Sequence, residues 1–274
     1  MIYKTLIVNN KKEPQIKGTL NSIFFHALVL DEKLKQKNQK ITEKEVEVIE
    51  NTKIGGEYKW SFSNEYPPDI DTISVCTRVL YLFKENKRKF KIKDYYYNLI
   101  KENLIWISEI ERAILTFLGK KVSDSIDIIV LANVLLTLDI LEIEDKDKDK
   151  IFNYIIFRYK KYQNKDFIEQ DSKYYLYTSF LFYLLSRTIY STKIKNEYET
   201  FLSTRPQNFL DEIIRFNTSL NLRIEQGITD INKKDDFLLY IPLFRRRRDN
   251  LYFASPDFNN LLLQQYQTYL DKIK

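Results

Sequence analysis

The apolar pattern predicts an all-α protein, a single domain over residues 1–274 made of paired helices and built as a helical toroid or a solenoid. Three observations predict it. Apolar positions recur at spacings of three and four along most of the chain. There are only five glycines (Gly18, Gly55, Gly56, Gly119 and Gly227), too few for a turn-dense β architecture. No stretch rich in Gly, Ser or Pro divides the chain, so helix follows helix through short polar turns. No clean internal repeat is visible, which favours a closed ring of helices over a solenoid.

The elements follow in order. Residues 19–34 (TLNSIFFHALVLDEKL) read as the first helix. In the second, 41–52, Thr42 precedes Glu45 by three, the spacing at which each side chain satisfies the other's backbone donor. Residues 71–87 place Ile73, Cys76, Leu80 and Phe83 on one stripe. Residues 123–142 form the most apolar helix, with a Ser/Asp start. Segments 147–162, 172–190, 194–203, 206–226 and 256–273 complete a set of nine. Helices at 126–143 and 174–190 are apolar nearly all round and should be enclosed on every side. Only 237–244 (FLLYIPLF) and the opening residues look extended.

Hydrophobic residues make up 44% and charged residues 30%, the balance of a folded, soluble chain. Cys76 is alone, so no internal disulfide can form and a reducing, cytoplasmic setting is expected. The opening residues hold too short an apolar run for a secretion signal, and the uncharged stretch 174–186 is too short to cross a bilayer. The net charge is +6, but most positives are lysines mixed with acids, as in 84–94 (KENKRKFKIKD) and 145–150 (DKDKDK), which is how a solvated surface looks. The exception is the run Arg245–Arg248, which is either a solvated or internally paired loop or a contact for phosphates. Without a nucleic-acid motif beside it, nucleic acid is not an expected partner. Peripheral contact with a membrane through Arg245–Arg248 is retained as an expectation.

One segment is spelled for chemistry. Residues 66–76 (YPPDIDTISVC) set two prolines before two aspartates, and an apolar helical pattern begins there. Pro67 and Pro68 end whatever precedes them, and either aspartate can cap the new helix. With the glycine turn and tryptophan of GGEYKW upstream, residues 55–83 resemble the acid-motif region of squalene–hopene-type (class II) terpene cyclases, in the terpenoid cyclase/prenyltransferase α/α-toroid superfamily. Segments 125–138, 174–187 and 248–266 look like the same superfamily. The resemblance implies a single α/α toroid around an apolar cavity. It also implies acid-initiated cyclisation of a polyprenyl or other apolar alkene, with no cofactor.

Carried over by position, Asp71 takes the proton-donor place and Asp69 the first place, while Thr72 stands where the family has its last acid. Trp60 and Trp106 are the rings expected to wall the cavity, and Arg78, two turns below Asp71, is grouped with them on the substrate side. The 20 Tyr, 18 Phe and 2 Trp suit a cavity that steadies carbocations, and they equally suit a chain biased toward Ile, Lys, Asn and Tyr. The implied partners are an isoprenoid-like small molecule and a protein that completes the pocket. The alternative is a non-catalytic helical scaffold that holds a lipid, peptide or protein in its central groove.

Other chemistries fit less well. A zinc prenyltransferase site would have to use Cys76 and His26, yet Cys76 lies on a core stripe and His26 within SIFFHALVL. With one histidine and no G-x-S-x-G turn, a serine hydrolase has little to build on. Asn217, Asn221 and Glu225 share a helix face as in a magnesium-dependent cyclase, but DDFLLY (235–240) lacks the third acid. DKDKDK lacks the glycine and closing glutamate of a calcium loop and reads as a solvated turn.

Overall fold

The structure, a computed structural model, describes residues 2–8, 15–36, 39–62, 67–84, 86–109, 111–118, 126–163, 171–172, 174–225, 242–246 and 251–273. Of Asn86, Lys87, Trp106, Arg246, Lys272 and Ile273 only the backbone is described. In chain order the elements are β1 (Thr5–Val8), β2 (Ile16–Leu20), α1 (Ile23–Gln36), α2 (Glu43–Asn51), a 3-10 turn (Ile54–Gly56), α3 (Ile70–Phe83) and α4 (Asn86–Asn103). There follow β3 (Leu104–Trp106), β4 (Arg112–Ile114), α5 (Ile128–Ile140), α6 (Asp147–Tyr162), α7 (Thr178–Leu185) and α8 (Lys195–Leu202). The chain ends with α9 (Phe209–Leu222), β5 (Phe244–Arg246), β6 (Leu251–Ala254) and α10 (Pro256–Ile273).

Six strands among the described residues overturn the expectation of an all-α toroid. They form a four-stranded sheet in the order β2-β1-β6-β5 and a two-stranded β3-β4 hairpin, antiparallel throughout. The fold is mixed α/β. The strands are only 3 to 5 residues long, too short to display an alternation that competes with the helical periodicity around them. Residues 19–20, read as the start of a helix, belong to β2. The chain divides into two compact units, Met1–Tyr3 with Asn21–Ser172, and Lys4–Leu20 with Lys173–Lys274.

In the first unit α3 is central and packs against α1, α2, α4 and α5, while α6 packs on α5 and β4. Asp127 starts α5 by accepting bonds from the N–H groups of Ile129 (2.9 Å) and Val130 (3.4 Å), and Ser172 donates to its other oxygen at 3.1 Å. Every residue from Ile128 to Leu138 is buried, as expected of a helix apolar on all faces. The Thr42–Glu45 capping box forms at the start of α2. Burial alone would raise the Glu45 carboxyl, but bonds from Tyr3, Thr42 and Lys33 more than offset it and hold it at about 2. His26 is buried and satisfied: its Nε2 bonds the Glu45 carbonyl at 2.8 Å and its Nδ1 accepts the Tyr3 N–H at 3.3 Å. Helix α4 is not among the expected helices: residues 84–94 read as surface, and the preceding helix as running to 87. Its core face is narrow, consisting of Ile92, Tyr96, Leu99 and Ile100.

The segment DKDKDK is not a solvated turn. Lys101 of α4 bridges Asp145 (2.8 Å) and Asp147 (2.7 Å), Tyr97 donates to Asp145 at 2.8 Å, and Lys148 is buried in an ion pair with Asp139. Alternating signs along the sequence here mean pairing across helices.

The second unit builds its sheet by pairing the chain's beginning with its end: Leu6 faces Ala254 and Val8 faces Tyr252. β5 is covered by the segment before α7, where Arg245 N–H donates to the Tyr174 carbonyl at 2.7 Å and Leu176 N–H to Leu243 at 3.1 Å. Helix α9 packs between α7 and α10. Aromatic rings fill this core by packing on one another, as in the stacked Phe182–Phe201 pair at 5.2 Å and the edge-on Phe216–Tyr266 pair at 4.5 Å.

Because α5 is walled on every side, Leu135→Ala should cost about 2–5 kcal/mol in urea unfolding with an unchanged m-value. A loss below about 1 kcal/mol would mean that the helix has an open face.

Candidate functional site

The segment singled out by its spelling is built as a helix start. Pro67 and Pro68 carry no N–H, and the Pro68 carbonyl accepts from Leu118 N–H at 3.1 Å. Asp69 N–H donates to the Trp60 carbonyl (3.1 Å) and Ile70 N–H to Thr116 (2.8 Å), which pins the entry to α3 between two other segments. The Asp69 side chain then caps the helix. Its Oδ1 accepts the Thr72 N–H at 2.7 Å, and its Oδ2 accepts the Thr72 hydroxyl at 3.0 Å and the Phe62 N–H at 2.9 Å. Thr72, expected in the place of an acid, is the capped residue and a second donor to the cap.

Asp71 leaves the opposite side of the helix start and meets α5. Asn133 Nδ2 donates to its Oδ1 at 2.6 Å. The same amide's carbonyl oxygen accepts from Arg78 Nη1, so Asn133 links Asp71 to Arg78. Arg78 has no exposed surface and makes a two-point ion pair with Asp31 of α1, Nε to Oδ1 at 3.2 Å and Nη2 to Oδ2 at 3.1 Å. Its Nη1 also reaches the Asn133 carbonyl (3.2 Å) and the Thr137 hydroxyl (2.8 Å). Thr137 donates to the backbone carbonyl of Asn133 at 2.9 Å, and Ser74 bonds the Tyr96 hydroxyl of α4 at 2.7 Å. Burial pushes the Tyr96 hydroxyl well above its ordinary range. The result is one buried polar network drawn from α1, α3, α4 and α5.

The six sequence candidates separate accordingly. Asp69 and Thr72 form the cap, and Asp71 and Arg78 belong to the network. Trp60 is fully buried and donates its indole N–H to the Ile49 carbonyl at 2.8 Å, 6.2 Å from the Tyr58 ring. That makes it a brace between α2 and the approach to α3. Trp106 lies in β3, and its side chain is outside the described residues. Arg245 and Arg246 lie in β5, with Arg247 and Arg248 outside the described residues, as are the acids of DDFLLY and all of FLLYIPLF before Pro242. Asn217 is buried and donates to the carbonyls of Ile213 (2.9 Å) and Leu262 (3.2 Å), while Asn221 donates to Ser186 at 2.9 Å.

Sequence reasoning missed Asp31, Ser74, Asn133 and Thr137. The signal was present: Asp71, Ser74 and Arg78 share a face of α3 at i, i+3 and i+7, and Asn133 and Thr137 share one at i, i+4 in a helix otherwise almost wholly apolar.

Asp71 is buried, and its Oδ1 is engaged by Asn133 of α5. A hollow of about 10 Å³, room for one water, lies elsewhere in this unit, among Tyr97, Lys101, Leu138, Asp145 and Lys148. No group of three or more His, Cys, Asp or Glu side chains is placed to hold a metal among the described residues. No described helix is long and apolar enough to cross a membrane. Comparison with protein-family models, with curated proteins and with solved structures finds no match.

Burial raises the Asp69 carboxyl to about 6, against the bonds from Thr72 and Phe62 that favour its anion. A carboxyl that holds its proton more tightly folded than unfolded makes the fold gain stability as pH falls from about 6 to about 4, by roughly 3 kcal/mol in all. In Asp69→Asn that component is absent. The stability difference between the native protein and the variant should therefore move by about 3 kcal/mol in favour of the native protein between about pH 7 and pH 4, measured by urea unfolding at fixed pH. A difference that does not change with pH would contradict the assignment.

Proposed function

We propose that this chain is a non-catalytic module that acts through its outer surface, in which the Pro-Pro-Asp-x-Asp segment serves the fold. One observation carries the reading. Asp71, the residue in the proton-donor place, accepts a 2.6 Å bond from Asn133 inside a network closed by the fully buried Arg78–Asp31 pair. An acid that protonates an alkene must meet its substrate in a hollow, whereas Asp71 is buried against α5 and bonded to Asn133. Asp69 is likewise committed to three donors at the helix start. The cyclase reading draws its support from the order of residues alone. The single cysteine, Cys76, is free and buried, which fits a reducing, cytoplasmic setting.

Incubating the purified chain with linear polyprenyl alkenes and diphosphates, then extracting for cyclised products, tests this directly. Native protein and Asp71→Asn should both give none, and none of these compounds should raise the melting temperature. Cyclised product from the native chain that disappears in Asp71→Asn would restore the catalytic reading.

A further inference from the structure

The surface around the turn from α3 to α4 is not explained by the fold. Residues 84–94 hold six lysines and arginines against two acids, a surplus of four in a chain whose net charge is +6. Helix α4 has no acid in its first turn, so Arg88 and Lys89 sit where the helix field disfavours cations. This charge costs the helix stability. Amid it Phe90 is 69% exposed, the most exposed large apolar side chain among the described residues, and Leu82 on the last turn of α3 is 42% exposed. Phe90 stands opposite the buried face formed by Ile92, Tyr96 and Leu99, and Lys91 beside it is exposed.

Parts of the charge are engaged locally. Lys84 pairs with Glu50 at 3.1 Å, Arg88 lies 3.8 Å from the same carboxylate, and Lys93 donates to the Glu142 carbonyl at 2.8 Å. Lys89 rests over the Tyr81 ring at 5.5 Å, and Arg88 remains 64% exposed despite its neighbour. Phe157 on α6 is the contrasting case: it is 50% exposed, but its neighbour Arg158 is held by Asp171.

We propose that the outward face of α4 around Phe90 docks on an anionic lipid surface, with the lysines meeting headgroup phosphates and carboxylates and the Phe90 ring entering the boundary of the acyl layer. Charge complementarity selects an anionic partner. The protruding apolar side chains select a bilayer over a nucleic acid, because Leu82 offers no ring to stack on a base while both Leu82 and Phe90 can leave water for lipid. The face lies within the first unit and uses no residue of the Arg245–Arg248 run. It rests on the reading of the chain as a surface-acting module.

The test is co-sedimentation of the full chain with vesicles of phosphatidylcholine alone or with about one third phosphatidylserine, at low and high salt. Binding should require the anionic lipid and weaken with salt. Lys89→Gln with Lys91→Gln should weaken it roughly thirtyfold, at about fivefold per charge, and Phe90→Ser about tenfold, with no variant melting below the native protein. Phe157→Ser should have no effect. Absence of binding, binding indifferent to these α4 changes, or binding lost only when Arg245–Arg248 become serine would each overturn the proposal. So would single-stranded RNA bound at the α4 face in place of vesicles. A vesicle result of either kind is independent of whether polyprenyl compounds are cyclised, so failure here and failure of the non-catalytic reading can be told apart.

Discussion

The first unit depends on one buried ion pair, Arg78 with Asp31. Both side chains have no exposed surface, and removing two charges from water costs several kcal/mol per ion. That cost is offset only if every donor and acceptor finds a partner. The guanidinium meets the carboxylate at two points and gives its remaining reach to Asn133 and Thr137. This requirement fixes how α1, α3 and α5 are set against one another, since a shift of any of them would strand a charge in the interior. It also accounts for a polar pair, Asn133 and Thr137, inside the most apolar helix of the chain.

The same network decides how the aspartates should be read. Helix starts need acceptors for free backbone donors, and Asp69 supplies one for Thr72. Two residues on, Asp71 falls on the face that α5 covers, where Asn133 ties it into the Arg78 cluster. Each carboxylate is explained by a local or tertiary need of the fold. A spelling that resembles an acid-catalyst motif therefore has a sufficient structural cause.

Much of the helical layout was legible because it follows from local rules. The Thr42–Glu45 box, the aspartate before α5 and the all-round burial of that helix are written in neighbouring residues. Helix α4 was hidden because lysines occupy its first turns and its apolar positions begin only at Ile92. The four-stranded sheet was hidden for a different reason. Its short strands come from opposite ends of the chain, and the pairing of Leu6 with Ala254 leaves no trace in either segment alone. At the site, the polar stripe of Asp71, Ser74 and Arg78 was visible in principle. Its meaning depended on Asp31, 47 residues away, which only tertiary structure brings alongside.

The account turns on the Arg78–Asp31 pair being the closed centre of the unit, and a double-mutant cycle measures that most directly. Arg78→Met and Asp31→Leu should each cost about 3–5 kcal/mol in equilibrium unfolding, because each leaves its partner charged and buried. Combined, they should cost far less than their sum, with a coupling of at least about 2 kcal/mol. Single losses below about 1 kcal/mol, or effects that simply add, would mean that the two groups are hydrated and independent, and the interior around Asp71 would be open to a different reading.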